Sequence, residues 1–177
     1  MSIPLRVLIL EDKLSDAELS VLELRKSGFE PDWQRVEAEP DYLAALELNP
    51  DLILADWSMP QFSGLRALQL MRERGMDIPF VIVSGSIGEE AAIEAIRQGA
   101  SDYVSKDRQA RLGQAVAHAL EQKLLREEKR QADQALRANE DHYRILAKAS
   151  QDMIFIIGRH GTIEYVNNFA AAIFGSY

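Results

Sequence analysis

The chain has 177 residues, of which 47% are hydrophobic, a formal net charge of -8 at pH 7 and no cysteine. This length accommodates one domain of ordinary size with a remainder, and the composition excludes wholesale disorder. The lack of cysteine excludes disulfides, cysteine-ligated zinc and thiol catalysis. The negative charge argues against nucleic acid or an anionic membrane as the main partner.

The amino-terminal segment MSIPLRVLILED contains one short apolar run, which Arg6 interrupts and two acids end. Such a run is neither a signal peptide nor a membrane span. We therefore expect a cytoplasmic protein.

Five short apolar segments alternate with amphipathic segments between residues 5 and 120. They are rich in Val, Ile and Leu and too short for helices, as strands buried on both faces are. The segments are Leu5–Leu10, Trp33–Val36, Asp51–Ala55, Phe80–Val83 and Asp102–Val104. Five strand–helix units in series predict a doubly wound α/β domain with a parallel five-stranded sheet.

The amphipathic segments carry signals for helix starts and ends. Ser15 and Glu18 fit a capping box for the first helix, and Gly28 marks its end. The next three helices are bounded by Pro40 and Asn49-Pro50, by Gly64 and Gly75, and by Gly88 and Gly99.

A long exposed helix is predicted after the fifth strand, because residues 121–141 interleave charged residues with Gln and Ala and lack Pro and Gly. Counted in sevens, apolar residues form a thin coiled-coil seam that predicts a dimer. A solvated single helix fits the same segment, so both alternatives stay open. The first seam position holds Leu125, Ala132, Asn139 and Leu146. The second holds Leu136, Tyr143 and Ser150, which lie four residues after Ala132, Asn139 and Leu146.

The last segment changes character again. Met153–Ile157 and Ile163–Val166 predict a hairpin, and Asn168–Phe174 predicts a short helix. Two strands and one helix cannot bury a core of their own. We therefore expect the sequence to be cut inside a second domain.

Reactive residue types fall at the carboxyl ends of the predicted strands, whose loops converge on one crevice in a doubly wound sheet. Glu11 and Asp12 follow the first strand, Asp56 the third, Ser84 the fourth and Lys106 the fifth. Three carboxylates repel one another, so we expect a divalent cation between them. Oxygen ligands without His or Cys indicate Mg²⁺.

This set of residues suits phosphoryl transfer. Asp56 is the predicted nucleophile, which forms an acyl phosphate. Lys106 is expected to pair with one phosphoryl oxygen and Ser84 to hydrogen-bond another. Each residue alone also fits an ordinary role, as an acid before a helix, a turn serine or a surface lysine. Their shared position at one end of successive strands is the more specific signal.

Residues 1 to about 120 resemble a receiver domain of two-component response regulators. The resemblance rests on Glu11-Asp12, Asp56 followed by Met59-Pro60 and Gly64, Ser84, and Lys106 within YVSKD. It implies a flavodoxin-like fold. It also implies that the backbone carbonyl of Ser58 is a Mg²⁺ ligand and that Tyr103 is the switch aromatic.

Two positions depart from the family pattern. The lysine of the family is commonly followed by proline, whereas Asp107 follows Lys106 here. This puts the direction of the lysine side chain in question. Trp57, beside Asp56, is uncommon at its position and is expected to restrict access to the carboxylate.

The carboxyl-terminal segment resembles the opening of a PAS sensor domain, with its first helix, first hairpin and next helix. The predicted organisation is therefore a receiver domain at 1–120, a helical linker at 121–141 and the amino-terminal part of a PAS domain at 142–177. The resemblance implies an α+β fragment there and an output module beyond it.

Together the two resemblances imply a signalling module whose phosphoryl donor is a phosphohistidine on a partner kinase or phosphotransfer protein. They imply no turnover enzyme, only self-catalysed phosphorylation and dephosphorylation of Asp56. Two alternatives stay open: a degenerate receiver that acts as a dimerisation scaffold, and a haloacid-dehalogenase-like phosphatase. The latter family has its nucleophile on the first strand in an Asp-x-Asp pattern, whereas Asp56 is on the third.

Overall fold

The computed structural model of the chain describes residues 2–85 and 89–174. Contacts group the chain into two compact units, one ending at Leu125 and the other beginning at Arg126. The elements up to the long helix are β1 (Ile3–Leu10), α1 (Leu14–Lys26), β2 (Phe29–Val36), α2 (Glu39–Leu46), β3 (Leu52–Ala55), α3 (Gly64–Glu73), β4 (Phe80–Ser84), α4 (Glu89–Arg97), β5 (Asp102–Ser105), a 3₁₀ helix (Lys106–Arg111) and α5 (Leu112–Ala149).

The five strands of the first unit form one parallel sheet in the order β2-β1-β3-β4-β5. This is the strand order of the doubly wound, flavodoxin-like fold, whose crevice lies where the order reverses. Here the reversal falls between β1 and β3. The predicted fold is therefore confirmed.

The hydrophobic core lies on both faces of this sheet. Successive side chains of a strand point to opposite faces. In β3, Ile53 and Ala55 belong to a core cluster with residues of α2 and α3, whereas Leu52 and Leu54 belong to a cluster with residues of α1 and α5. All four are buried, which explains why this strand reads as a continuous apolar run.

The helix ends agree with the sequence signals better than the helix starts do. Gly28, Gly75 and Gly99 follow α1, α3 and α4 with φ values of 89°, 69° and 101°, a left-handed conformation that favours glycine. The capping box was wrong. α1 begins at Leu14 after Lys13, which makes no side-chain cap, so Ser15 lies inside the first turn. The start signal at Gly88 lies outside the described residues.

β2 begins four residues earlier than the apolar pattern indicates, at Phe29 rather than at Trp33. Pro31 lies inside the added part and pairs in register with Leu5 of β1. The sheet order makes β2 an edge strand. A proline is tolerated there because one side of an edge strand has no neighbouring strand that needs its backbone N–H as a hydrogen-bond donor.

The long helix α5 reaches Ala149, and its residues beyond Leu120 are largely exposed. Four apolar members of the predicted seam are more than half exposed, namely Leu125, Leu136, Tyr143 and Leu146. A second chain along this seam stays a prediction. Within the described residues, no helix combines the length and apolar character needed to cross a membrane.

The second unit contains β6 (Phe155–Ile157), β7 (Ile163–Val166) and α6 (Asn168–Phe174), with β6 and β7 antiparallel. The buried side chain of Asn167 joins these pieces. Its amide donates to the carbonyls of Ala147 and Asp152, and its oxygen accepts from the backbone N–H groups of Ile154 and Ala170. The hairpin and helix have the predicted bounds within two residues.

Replacing Leu54 with alanine should lower the free energy of unfolding by about 2–5 kcal/mol, because this central-strand side chain is 1% exposed and its loss leaves a cavity. The measurement is denaturant unfolding followed by circular dichroism. The matched control is Leu48→Ala, whose leucine is 67% exposed and whose loss should change stability by less than about 0.5 kcal/mol. Equal effects of the two variants would contradict the described core.

Candidate functional site

The sheet register sets the positions of the acidic residues. The backbone N–H of Asp56 donates to the carbonyl of Leu10 at 2.8 Å, and the N–H of Glu11 donates to the carbonyl of Val36 at 3.2 Å. The hydrogen-bonded ladder therefore continues one residue past each of these strands. It places the side chains of Glu11 and Asp56 next to each other at the carboxyl edge.

The ammonium group of Lys106 is the centre of the site. Its Nζ lies 2.7 Å from Glu11 Oε2, 2.6 Å from Asp16 Oδ2 and 2.8 Å from Asp56 Oδ2. The Lys106 side chain is only 17% exposed. Three carboxylates from three different parts of the chain thus share one partly buried cation.

Burial and hydrogen bonding determine the charges in this group. Burial raises the pKa of Glu11, against the opposing hydrogen bond from Lys106. The hydrogen bond from Lys106 lowers the pKa of Asp16. Burial lowers the pKa of Lys106, but hydrogen bonds to Asp16, Asp56 and Glu11 outweigh it and hold the pKa above its ordinary value. Lys106 is therefore charged at neutral pH.

A candidate cation site lies beside the lysine. One carboxylate oxygen from each of Glu11, Asp12 and Asp56 lies within 4.8 Å of the other two. Mg²⁺ binds oxygen at about 2.0–2.1 Å and keeps several waters, so oxygens this close can share one ion. Asp12 is exposed, whereas Glu11 is buried and also accepts from the backbone N–H of Lys13. The donor set fits Mg²⁺.

The two remaining predicted phosphoryl-site and switch residues lie in the sheet. Ser84 is buried at the end of β4, in register with Ser105. Tyr103 is half-buried and packs against the core cluster that contains Phe80. Among the described residues, no hydrogen bond joins either hydroxyl to the acidic group. The structure therefore brings Glu11, Asp12, Asp56 and Lys106 together, whereas the roles of the Ser84 and Tyr103 hydroxyls stay predictions.

The loop after Asp56 is fixed by the aspartate itself. The backbone N–H of Ser58 donates to Asp56 Oδ1 at 3.0 Å, which leaves Oδ2 for Lys106. Trp57 is half-buried and packs against the core rather than standing fully in solvent. The ligand role of the Ser58 carbonyl stays a prediction.

The residue after the lysine has a structural role that proline could not fill. The N–H of Asp107 donates to the Ser105 side chain, which caps the 3₁₀ helix that begins at Lys106. Proline has no N–H to donate. Lys106 nevertheless reaches Asp56, so its direction is settled in this chain without the usual proline.

Two residues of the site were missed by sequence reasoning. Asp16 lies in the first turn of α1, and its carboxylate contacts Lys106 from there. Arg35 Nη1 donates to the carbonyls of Glu11 and Asp12 at 2.9 and 3.2 Å and pairs with Glu37. Arg35 thus holds the acid-bearing loop from the end of β2. No local sequence pattern indicates this role, because Arg35 is on β2 and the carbonyls it binds are in the loop after β1.

Gly64 allows α3 to begin directly against the phosphoacceptor candidate. A Cβ atom on Gly64 would lie 2.6 Å from the backbone oxygen of Asp56, closer than real Cβ atoms approach. The Ser63 hydroxyl caps this helix by accepting from the N–H of Arg66. Glycine at this position is therefore required by close packing on the Asp56 loop.

Comparison with known proteins identifies the class. The family model described as response regulator receiver domain matches residues 7–117, which include the acid pair, Asp56 and Lys106. The chain belongs to the response regulator receiver family. Members of this family interact with histidine kinases or phosphotransfer proteins, and they generally bind Mg²⁺ through an acidic pocket.

Two curated relatives show the extent of the similarity. The phosphate regulon transcriptional regulatory protein PhoB of Klebsiella pneumoniae is 38% identical over 106 residues, which are 57% of this chain and 44% of PhoB. The DNA-binding transcriptional regulator NtrC of Proteus hauseri is 30% identical over 140 residues, covering 69% of this chain and 29% of NtrC. The chain therefore spans less than half the length of these relatives.

Solved structures agree on the fold. A signal receiver domain from Vibrio parahaemolyticus matches with a TM-score of 0.63 and 27% identity, covering 71% of this chain and 96% of that one. NtrX from Brucella abortus matches with a TM-score of 0.65 and 27% identity, covering 75% of this chain and 30% of NtrX.

The relatives also bear on the partners expected from net charge. Since NtrC is named as DNA-binding, the expectation that nucleic acid is no partner is not supported.

Gly64→Ala should lower the free energy of unfolding by about 1–3 kcal/mol, because the new methyl group overlaps the backbone at Asp56. Helix propensity alone gives the opposite sign, a gain of up to about 1 kcal/mol. Denaturant unfolding of the variant and the parent protein distinguishes the two. A stabilised Gly64→Ala variant would show that the close contact at Asp56 is wrong.

Proposed function

We propose that this chain is a phosphoacceptor receiver module and that Asp56 takes a phosphoryl group from a phosphohistidine of a partner kinase or phosphotransfer protein. The supporting observation is the contact of Lys106 Nζ with Asp56 Oδ2 at 2.8 Å, beside the carboxylates of Glu11 and Asp12. A lysine and a candidate cation site flank the same carboxylate, as a phosphoryl acceptor requires.

In the proposed reaction a carboxylate oxygen of Asp56 uses a lone pair to form a bond to phosphorus. The bond from phosphorus to the donor imidazole nitrogen breaks, and its electron pair stays on that nitrogen. The other ring nitrogen carries a proton, so the donor leaves as a neutral imidazole. The product is an acyl phosphate on Asp56. Lys106, which is charged at neutral pH, stabilises negative charge on the phosphoryl oxygens.

Glu11, Asp12 and Asp56 would hold Mg²⁺, with the backbone carbonyl of Ser58 as a further ligand. The bound ion would supply positive charge that offsets the repulsion between the carboxylates and the phosphoryl oxygens. Arg35 contributes by fixing the backbone of the acid pair. Hydrolysis of the acyl phosphate by the domain itself completes the cycle, and we propose no other turnover activity.

The signal is proposed to leave the receiver through its switch residues and α5. Ser84, at the end of β4, would hydrogen-bond the phosphoryl group, and half-buried Tyr103 would change its packing. We propose domain bounds of 1–120, 121–141 and 142–177, with the last segment forming the start of a PAS domain. Its antiparallel hairpin followed by a short helix supports this proposal.

Asp56→Asn should abolish acyl phosphate formation, because an amide is not a nucleophile of this kind. Its shape is close to that of aspartate, so the fold should be retained. The measurement is the mass of the full chain after incubation with Mg²⁺ and a small phosphodonor, with the modified peptide identified by fragmentation. Asp41→Asn, which removes an exposed carboxylate from α2, is the control and should label like the parent.

Labelling of Asp56→Asn at the parent level, or a phosphoryl group located on another residue, would contradict the proposed acceptor. An unlabelled parent protein with intact Mg²⁺ binding would instead support the degenerate scaffold. Continuous release of phosphate without an accumulated acyl phosphate would support a phosphatase.

Mg²⁺ should change the fluorescence of Trp57, because this indole adjoins Asp56 in the chain. The titration uses a Trp33→Phe variant, which leaves Trp57 as the reporter, and Ca²⁺-free buffer. The change should saturate and should be lost in Asp12→Asn, which lacks one proposed ligand. A flat titration, with Mg²⁺ binding measured by calorimetry, would show that Trp57 does not sense the site.

A further inference from the structure

Asp16 makes the shortest of the three contacts with the Lys106 ammonium, at 2.6 Å. It projects from the first turn of α1, and its other carboxylate oxygen lies 3.4 Å from the Ser15 hydroxyl. In the part of the chain that the structure describes, the carboxylates close enough to share a cation are those of Glu11, Asp12 and Asp56. Asp16 is outside that set, so its link to the site runs through Lys106.

An ammonium group has three N–H donors. In Lys106 these serve Glu11, Asp16 and Asp56, one contact each. Phosphorylation converts the Asp56 carboxylate into a mixed anhydride with phosphate, and the carboxyl group then no longer carries the charge that holds the lysine there. Asp16 keeps its charge through that step, and the freed N–H can turn to a phosphoryl oxygen.

We propose that Asp16 is a positioning residue that holds the Lys106 ammonium beside Asp56 before and during phosphoryl transfer. This inference rests on the proposed function of Asp56. It assigns the direction of the lysine to two local restraints, the ion pair with Asp16 and the capped 3₁₀ turn that starts at Lys106. Lysine otherwise has a flexible four-carbon stem, which no proline constrains in this chain.

The first test is the rate of Asp56 phosphorylation by a small phosphodonor at saturating Mg²⁺. Asp16→Asn should lower this rate by about tenfold, because a displaced catalytic group loses much of its effect. Asp16→Glu keeps the charge and should recover most of the rate. Glu18→Gln, which removes an exposed carboxylate from the same helix, is the control for net charge and should match the parent. Circular dichroism establishes that each variant is folded.

A double-mutant cycle separates a positioning role from a general structural one. If Asp16 acts through the lysine, then Asp16→Asn should have no further effect in a Lys106→Ala background. The same tenfold loss in both backgrounds would overturn the proposal, because Asp16 would then act by another route. A parent-like rate for Asp16→Asn in the otherwise unchanged protein would overturn it as well.

The second test is independent of phosphorylation. Nitrogen-15 NMR of the full chain should show an ammonium signal for Lys106, assigned by its loss in Lys106→Ala, because the three carboxylates slow proton exchange with water. The signal should vanish in Asp16→Asn and persist in Glu18→Gln. Its persistence in Asp16→Asn would overturn the proposed hold on the lysine. Failure of the parent chain to phosphorylate would overturn the proposed function instead, and the ammonium signal would still decide whether Asp16 holds the lysine.

Discussion

Electrostatic repulsion at the carboxyl edge of the sheet is the constraint on which the site depends. Glu11, Asp16 and Asp56 each pair with the ammonium group of Lys106, and Asp12 lies beside Glu11 and Asp56. Two like charges about 4 Å apart repel by about 4 kcal/mol at an effective dielectric constant of about 20. The lysine offsets part of this repulsion, and the group still has a negative excess. The excess negative charge therefore attracts a further cation to the place where we propose that the phosphoryl group binds.

The parallel sheet creates this arrangement from residues far apart in the chain. Its strands all end at one edge, so whatever follows β1, β3 and β5 meets there. Both faces of the sheet are covered by core side chains, which leaves the edge as the place for polar groups. Backbone bonds from Glu11 to Val36 and from Asp56 to Leu10 then fix the position of each acid.

The alternation of strands and helices predicted a parallel sheet whose carboxyl edge holds the site. It thereby predicted that Glu11, Asp12, Asp56 and Lys106 lie at that edge. Contacts that depend on side-chain reach across elements were not predictable in this way. In the sequence, Asp16 has the features of an ordinary acidic residue in the first turn of a helix. Its pairing with Lys106 becomes visible only in the folded structure. The capping-box interpretation failed because α1 begins two residues earlier than a cap at Ser15 requires: its N-cap residue is Lys13, whose side chain makes no cap.

The most direct test measures how much Mg²⁺ raises the free energy of unfolding of the parent chain and of Lys106→Met. Each protein is unfolded by denaturant with and without the ion. Because lysine and metal offset the same carboxylates, the account predicts that Mg²⁺ stabilises Lys106→Met more than the parent. Without Mg²⁺ the variant should be the less stable of the two, since the carboxylates then have no cation. If Mg²⁺ stabilised Lys106→Met no more than the parent chain, this would contradict the claim that Lys106 and Mg²⁺ offset the same repulsion between carboxylates.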